Sequence, residues 1–499
     1  MTEVFDHILR LARSGSLDRA WALFEHHGLG GLGDGSRALT LQARLIKDRA
    51  KRAKGQDRAP LFEQSAELYA KVGRTAGASY SLINAATLYL LAGKKSQSAA
   101  LAREALSLIE SNPDEGETPY WHEATRAEAL LLLGQEALAR LALAKAIRTQ
   151  PDAWEDHAST IGQLRLIQAE LGKDPSWIDA HCPPKSVHFS GVAGLSHGQE
   201  GIAEAIRQFI AEEKPGFAYG ALAAGADLIF AQAFLDHRDQ YAPHAELHVV
   251  LPLEIDEFRE VSVRAFGEHW VPLFDRVLEE ASTHLILGQK DVPLALAIEH
   301  SDQVAMGCAV RNAQILQSQA IGFTVAAFGE SLRPQLDAWQ KSGRRLMIID
   351  AARDRAVSRS PVTIPTGHRL KTLVWVYNAS REDLLSYLAA GVKLEPQDVG
   401  YWFACDEVID AANTATRLTG FLEGVGVAML YSIFDPEGPH GPLLKRVQAL
   451  AKASAPNTVT TDRNTAFVLA LRKWDGSINE LGELSTLWGN ESIWSIAKL

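Results

Sequence analysis

Cysteine is scarce in this chain: Cys182, Cys308 and Cys405 are the only three in 499 residues, and no two of them have a metal-binding spacing. That scarcity argues against a zinc site or a disulfide framework and fits a reducing compartment, so a cytoplasmic location is expected. Long apolar runs are missing too, and none reaches the length of a membrane span. The residues after Met1 are polar and acidic, unlike the charged leader and apolar core of a secretory signal. The expectation is a soluble, intracellular chain with no membrane partner. Positive charge is also in deficit. Fifty Lys and Arg against 61 Asp and Glu leave a net charge of -11, which excludes duplex DNA as a partner but allows a local basic pocket for a small anion.

Clustered catalytic residues are equally sparse. The 16 histidines are dispersed, and the local groups His26-His27 and His181-Cys182 each lack the second pair that zinc requires. Glu299-His300-Ser301-Asp302 reads as a contiguous polar loop without the strained Gly-x-Ser-x-Gly elbow of a nucleophile, so no catalytic triad is expected there. The basic run Lys47-Asp48-Arg49-Ala50-Lys51-Arg52-Ala53-Lys54 reads as a solvated helix face, with a nucleic-acid patch as the alternative. The 11 tryptophans read as packing residues.

What the chain does have is a change of period. Residues 1–180 are Ala- and Leu-rich with helical spacing, and turn signals fall at Ser14-Gly15, Gly73, Gly93-Lys94, Asn112-Pro113, Gly134 and Gly172. Ala66, Leu68, Tyr69 and Val72, then Tyr80, Leu82, Ile83, Ala86 and Leu88, alternate small and large apolar residues as nested helical hairpins must. An ordinary helical bundle is the alternative, and either way the role is contact. After Pro183-Pro184, residues 186–353 alternate strand and helix, which predicts a doubly wound parallel sheet. Asp354 to Gly367 reads as a linker. Residues 367–499 alternate again and predict a smaller α+β sandwich. The expected class is an α+β multidomain protein with three parts.

The middle part holds the most informative stretch, Tyr219 to Ala233, Tyr-Gly-Ala-Leu-Ala-Ala-Gly-Ala-Asp-Leu-Ile-Phe-Ala-Gln-Ala. Gly220 and Gly225 bracket the opening of an amphipathic helix, whose unpaired N–H groups and partial positive charge suit a phosphate. A nucleotide is therefore the leading ligand. The competing reading is that Gly225 and Ala226 merely let the helix pack tightly on the sheet.

Each part also resembles a known family. Ala78-Ser79-Tyr80-Ser81-Leu82-Ile83-Asn84-Ala85-Ala86-Thr87 and Tyr120-Trp121-His122-Glu123-Ala124-Thr125-Arg126-Ala127-Glu128-Ala129 resemble the tetratricopeptide module found beside bacterial nucleotide-signalling domains and in the middle of apoptosis signal-regulating kinases. Phe189-Ser190-Gly191, the Gly220 to Ala233 stretch, Leu251-Pro252-Leu253 with Phe258 and Ser262-Val263, and Arg311-Asn312 resemble the SLOG superfamily, Rossmann-like domains related to Smf/DprA and to the cytokinin-activating LOG proteins. That resemblance implies ligand binding at Ser190, Gly191, Gly220, Gly225 and Asp227, with Arg311 on a phosphate or base. The Pro-Gly-Gly-x-Gly-Thr loop of LOG enzymes is replaced here by Phe328-Gly329-Glu330-Ser331-Leu332-Arg333-Pro334, which favours a sensor over a hydrolase, while Glu330 keeps an enzyme in view.

The last part resembles a shortened class III nucleotide cyclase homology domain, through Arg369-Leu370-Lys371-Thr372-Leu373-Val374, Gly400 to Leu418 and the tail from Ala455. The two metal-holding carboxylates of such cyclases are not evident: Asn378 follows the first strand, and Asp398 supplies at best one ligand. Together the resemblances imply a bacterial nucleotide-signal sensor or scaffold, in a stress or anti-phage setting, that assembles as a homo-oligomer and binds a protein partner through its helices. No cofactor beyond the nucleotide-derived messenger is implied. The alternatives are an enzyme acting on a nucleotide or its N-glycosidic bond through Glu330 or Asp227, and a non-catalytic partner of an active cyclase.

Overall fold

In the computed structural model the chain divides into two compact units, Met1–Pro183 and Pro184–Lys498. The structure describes residues 2–498 other than 14–16, 32–35, 113–116, 196–199, 354–366, 390–391, 398, 423, 455–457 and 487–488. The expected turn at Ser14-Gly15, nearly all of the expected linker, and Pro113, Gln199, Asp398 and Ala455 lie outside the described residues. The class is α+β, with a helical first unit and two sheets in the second. No helix among the described residues is long and apolar enough to cross a membrane.

The first unit comprises α1 (Thr2–Arg13), α2 (Leu17–His26), α3 (Ser36–Arg52), α4 (Arg58–Ala76), α5 (Ser79–Leu91), α6 (Lys95–Ser111), α7 (Pro119–Leu132), α8 (Glu136–Thr149) and α9 (Trp154–Glu170). One stop signal recurs. After α5, Gly93 N donates to Leu90 O and Lys94 N to Tyr89 O; after α7, Gly134 N donates to Leu131 O and Gln135 N to Leu130 O. The same pair closes α9 at Gly172 and Lys173. This Schellman-type closure satisfies the last carbonyls and turns the chain sharply, so each helix folds back on its neighbour. Small residues then set the spacing, with Ala43, Ala66, Ala85, Ala86, Ala102 and Ala105 all buried between α3, α4, α5 and α6. Gly73 corrects the sequence reading: it lies inside α4, where a Cβ would come within 2.7 Å of Leu82, and the turn falls at Gly77 instead. The glycine marks a close helix crossing, and periodicity alone does not separate that from a stop.

The second unit opens with β1 (Lys185–Gly191), α10 (Glu200–Glu213), β2 (Pro215–Gly220), α11 (Ala226–Tyr241), β3 (Glu246–Leu251), α12 (Ile255–Phe258), α13 (Val271–Glu280) and β4 (Thr283–Ile286). It continues with α14 (Leu294–Ile315), β5 (Ala320–Ala327), α15 (Pro334–Lys341) and β6 (Leu346–Ala351). All six strands are parallel, in the order β4-β3-β2-β1-β5-β6. The chain winds outward from β1 through β4, then returns to the other side of β1 as β5. That places a topological switch point between β1 and β5, where open α/β sheets leave a crevice at the carboxyl ends of their strands. Phe189 of β1, Phe323 of β5, Phe209 of α10 and Phe230 of α11 interlock beneath the sheet, with ring centroids 4.7 Å apart for Phe189–Phe230 and 4.8 Å for Phe209–Phe323. Each such ring contributes about 1.5–3 kcal/mol of burial, so this cluster fixes how both helices lie on the switch.

The second sheet uses β7 (Arg369–Tyr377), α16 (Arg381–Tyr387), β8 (Glu395–Gln397), β9 (Gly400–Cys405), α17 (Val408–Phe421), β10 (Gly426–Phe434), α18 (Gly441–Ala453), β11 (Val459–Asp462), α19 (Arg463–Leu471), β12 (Ser477–Thr486) and β13 (Gly489–Ala497). Its order is β12-β13-β11-β10-β7-β9-β8, antiparallel except for the β10–β11 pair. The two sheets do not stand apart. Val304 and Ala305 of α14 belong to the same buried cluster as Val374, Met429 and Val468 of the second sheet and its helix. At Gly307 the two helices touch backbone to side-chain-free carbon: an added Cβ would lie 2.1 Å from the Phe467 carbonyl oxygen on α19.

That contact makes a test. Gly307→Val forces α14 away from α19 and is expected to cost about 1–3 kcal/mol in chemical denaturation, the usual penalty of overpacking. Gly420→Ala, in α17 with open space around the new methyl, is expected to raise stability by about 0.5–1 kcal/mol. Equal effects of the two substitutions would contradict the close crossing.

Candidate functional site

The crevice at the switch point starts from strand ends. β1 finishes at Ser190 and Gly191, and Ser190 Oγ donates to Thr324 Oγ1 of β5 at 3.4 Å. A Cβ on Gly191 would sit 2.4 Å from the Ala226 Cβ, so only glycine lets the start of α11 close onto β1. Gly225 precedes α11 with φ 99°, and a Cβ there would meet the Val192 carbonyl oxygen at 2.7 Å. Both constraints point inward, at the protein's own backbone.

Three amides of this turn bond within the protein. Ala226 N donates to Val192 O at 3.2 Å, Ala224 N to Ser262 O at 2.9 Å, and Ala223 N to Asp227 Oδ2 at 3.3 Å. The Asp227 and Leu228 amides have no hydrogen bond among the described residues. Asp227 thus turns back over the opening of its own helix. Its Oδ1 is buried without a hydrogen-bond partner. Burial pushes the Asp227 carboxyl up to about 7, against the pull of Arg333 and of the Ala223 and Gly191 amides, with Asp302 adding to the rise.

Asp302 enters from the opposite wall, on α14. Its Oδ1 lies 2.9 Å from His188 Nε2, and its Oδ2 accepts from Gln335 Nε2 at 2.8 Å and pairs with Arg333 NH1 at 3.2 Å. Burial opposes this charge, but Arg333, His188 and the bonds from His188 and Gln335 outweigh it and hold the carboxyl well below the usual range. Next to it, Ser301 Oγ donates to the Val250 carbonyl at 3.2 Å. Ser190, Gly191, Ala223, Asp227, Ser262, Ser301, Asp302 and Arg333 enclose a cavity of about 150 Å³. Pockets that swallow a whole small molecule run to about 300–1,000 Å³. This one has room for a fragment such as a ribose or a phosphate, with Arg333 as its cation and Asp227 as a group that exchanges a proton near neutrality.

Of the residues singled out in the sequence, Ser190, Gly191 and Asp227 meet at this cavity. Gly220 closes β2, where a Cβ would fall 2.6 Å from the Phe189 carbonyl oxygen, and Gly225 shapes the turn without lining the cavity. Arg311 lies elsewhere: NH2 donates to the Ile478 carbonyl at 2.6 Å, and the side chain lines a separate cavity of about 380 Å³ with Tyr219, His248 and Trp494. Glu330 is on the exposed turn after β5 and pairs with Arg353 at 3.0 Å, away from the cavity lining. Asp302, Ser301 and His188 were not anticipated as site residues, and the reading of Glu299-His300-Ser301-Asp302 as a loop is corrected. These four residues form a turn of α14, which starts at Leu294. Leu296, Ala297, Val304 and Ala305 carry the helical spacing that reveals the extension, while the polar run between them hides it. His300 illustrates the environment, since burial pulls its imidazole down to about 4 and keeps it neutral.

The Asp227 carboxyl gives a signed prediction. A carboxylic acid whose folded value lies near 7, against about 3.9 unfolded, binds more protons when folded, so it stabilises at low pH and that contribution is lost as pH rises from about 4 to 7. Asp227→Asn keeps an acceptor for the Ala223 amide and removes the titration. Its stability relative to the parent chain is expected to improve by about 2–4 kcal/mol between pH 4 and pH 7.5 in urea unfolding. A constant difference across that range would refute the assignment.

Comparison with protein families finds that residues 14–189 match the MAP3K TRAFs-binding domain. The match runs through the helical unit and into β1. Comparison with curated proteins finds no match.

Proposed function

We propose that the chain is a signalling scaffold whose helical unit binds a protein partner and whose parallel sheet senses a nucleotide-derived ligand at the β1–β5 switch. The first half is supported by the likeness of residues 14–189 to a domain named for binding TRAF proteins. The second half rests on one observation above the others: a cavity at the carboxyl ends of β1 and β2, lined by Asp227 at the opening of α11 and by the Arg333 guanidinium. Its volume favours recognition of one fragment of the ligand, with the remainder outside. Ligand there would favour one arrangement of α11 and α14, and α14 packs against the second sheet through Val304 and Ala305, so occupancy at the crevice and the state of the second sheet would be thermodynamically linked. The SLOG-like and cyclase-like readings of the two sheets belong to this proposal, as does a stress or anti-phage setting.

A second reading draws on Asp227. A buried carboxyl pushed up to about 7 at the cavity wall is suited to general acid–base work, which an enzyme acting on a nucleotide or its N-glycosidic bond would need.

Isothermal titration of the full chain with AMP, ATP, NAD and cyclic nucleotides separates these ideas. The sensor reading expects at least one to bind and to be recovered intact by chromatography, with Arg333→Gln weakening it about tenfold or more. Converted nucleotide, lost in Asp227→Asn, would favour the enzyme. Binding by none would overturn the sensing half and leave the partner-binding half.

A further inference from the structure

The cavity that receives Arg311 is lined from both sheets of the second unit. Tyr219 of β2 and His248 of β3 come from the parallel sheet, Arg463 and Phe467 of α19 and Trp494 of β13 come from the second, and Arg311 itself stands on α14, which packs against both. Its volume of about 380 Å³ falls among those of pockets that take a whole small molecule. It shares only Val250 with the lining of the β1–β5 crevice.

Arg311 is a cation without a counter-charge. NH2 donates to the Ile478 carbonyl at 2.6 Å, Nε is buried with no hydrogen-bond partner, and no carboxylate pairs with the side chain among the described residues. Burial alone lowers its guanidinium below the ordinary range. A charged group held in that state is costly, and an entering anion would relieve the cost. Arg463, the first residue of α19, is exposed and likewise has no ion pair among the described residues. Its charge opposes the burial-driven rise of the Cys308 thiol, another lining group, which places its field on the cavity. The acid in the lining is Glu480 of β12, which accepts from Ser492 Oγ at 3.0 Å. Two guanidiniums against one carboxylate leave the balance with an anion.

The rings choose the rest of the molecule. Tyr219 stacks on His248 with centroids 4.5 Å apart, and Phe467 meets Trp494 edge to face at 5.4 Å. Aromatic surface contributed by both sheets suits a flat ring, and the arginine fork suits the paired oxygens of a carboxylate or a phosphate.

We propose that this cavity binds a small planar molecule carrying one oxyanion group, with the ring among the aromatic side chains and the oxyanion on Arg311 and Arg463. Two sources fit that chemistry, an aromatic carboxylate or an aryl phosphate. Ligand there bridges α14 and α19, the helices that cross at Gly307, and binding to the folded chain alone raises its unfolding temperature.

Isothermal titration of the full chain with benzoate, phenyl phosphate, benzamide and inorganic phosphate tests the site. Benzoate or phenyl phosphate is expected to bind, the stronger of the two naming the oxyanion, with benzamide and inorganic phosphate about tenfold weaker or more. Arg463 is exposed, so Arg463→Gln leaves folding intact and is expected to weaken binding about fivefold or more. Arg311→Lys keeps the charge but loses the fork, and is expected to weaken binding about tenfold. Arg207→Gln on α10, outside the cavity, is expected to leave it unchanged. Four results would each overturn the site: benzamide binding as tightly as benzoate, inorganic phosphate as tightly as phenyl phosphate, binding indifferent to both cavity variants, or no binding of either aromatic anion.

Discussion

The second unit depends on one buried charge. Asp302 lies on α14, the helix packed against both sheets, and its two oxygens are claimed by His188 from β1, Gln335 from α15 and Arg333 just before α15. Strand β1 and the start of α15 are thereby tied to one carboxylate on α14. A buried ion with partners removed costs several kcal/mol, so the pairs act together. The same side chain forms a wall of the cavity, which means that whatever enters the crevice meets a charge already neutralised by the protein. Arg333 is then shared between structure and ligand.

This arrangement changes the meaning of the glycine turn. Gly191, Gly220 and Gly225 are required by close approach of the chain to itself, at Ala226, Phe189 and Val192 respectively. Three of the turn's amides are spent inside the protein, and two are left without a bond. The helix start is therefore only partly available to an anion, and the cavity is sized for a fragment. Two carboxyls of opposite character, one held ionised and one poised near 7, border the same space. Such a pair is how enclosed sites separate an electrostatic role from a proton-exchanging one.

Much of the architecture was legible. All six parallel strands and the strand–helix alternation of the second sheet follow from β-branched and aromatic runs bounded by Gly and Pro, and Gly93, Gly134 and Gly172 stop helices as expected. Ser190, Gly191 and Asp227, named through the SLOG resemblance, line the cavity. The rest depends on contacts distant in sequence. Asp302 and His188 are 114 residues apart, and nothing local marks them as partners. Gly73 and Gly307 serve helix crossings that no single helix pattern announces. The inward face of the Lys47 run, which lines a cavity of the first unit, was missed because a charged helix face looks the same in sequence whether it meets water or a cavity.

Hydrogen–deuterium exchange with and without the nucleotide that binds best addresses the central claim most directly. Ligand at the switch point predicts slower exchange at residues 190–194 and 222–229, where the amides of β1's end and of α11's opening lie, together with slower exchange in α14 around Asp302. Protection confined to other segments, with those amides exchanging at unchanged rates, would contradict it.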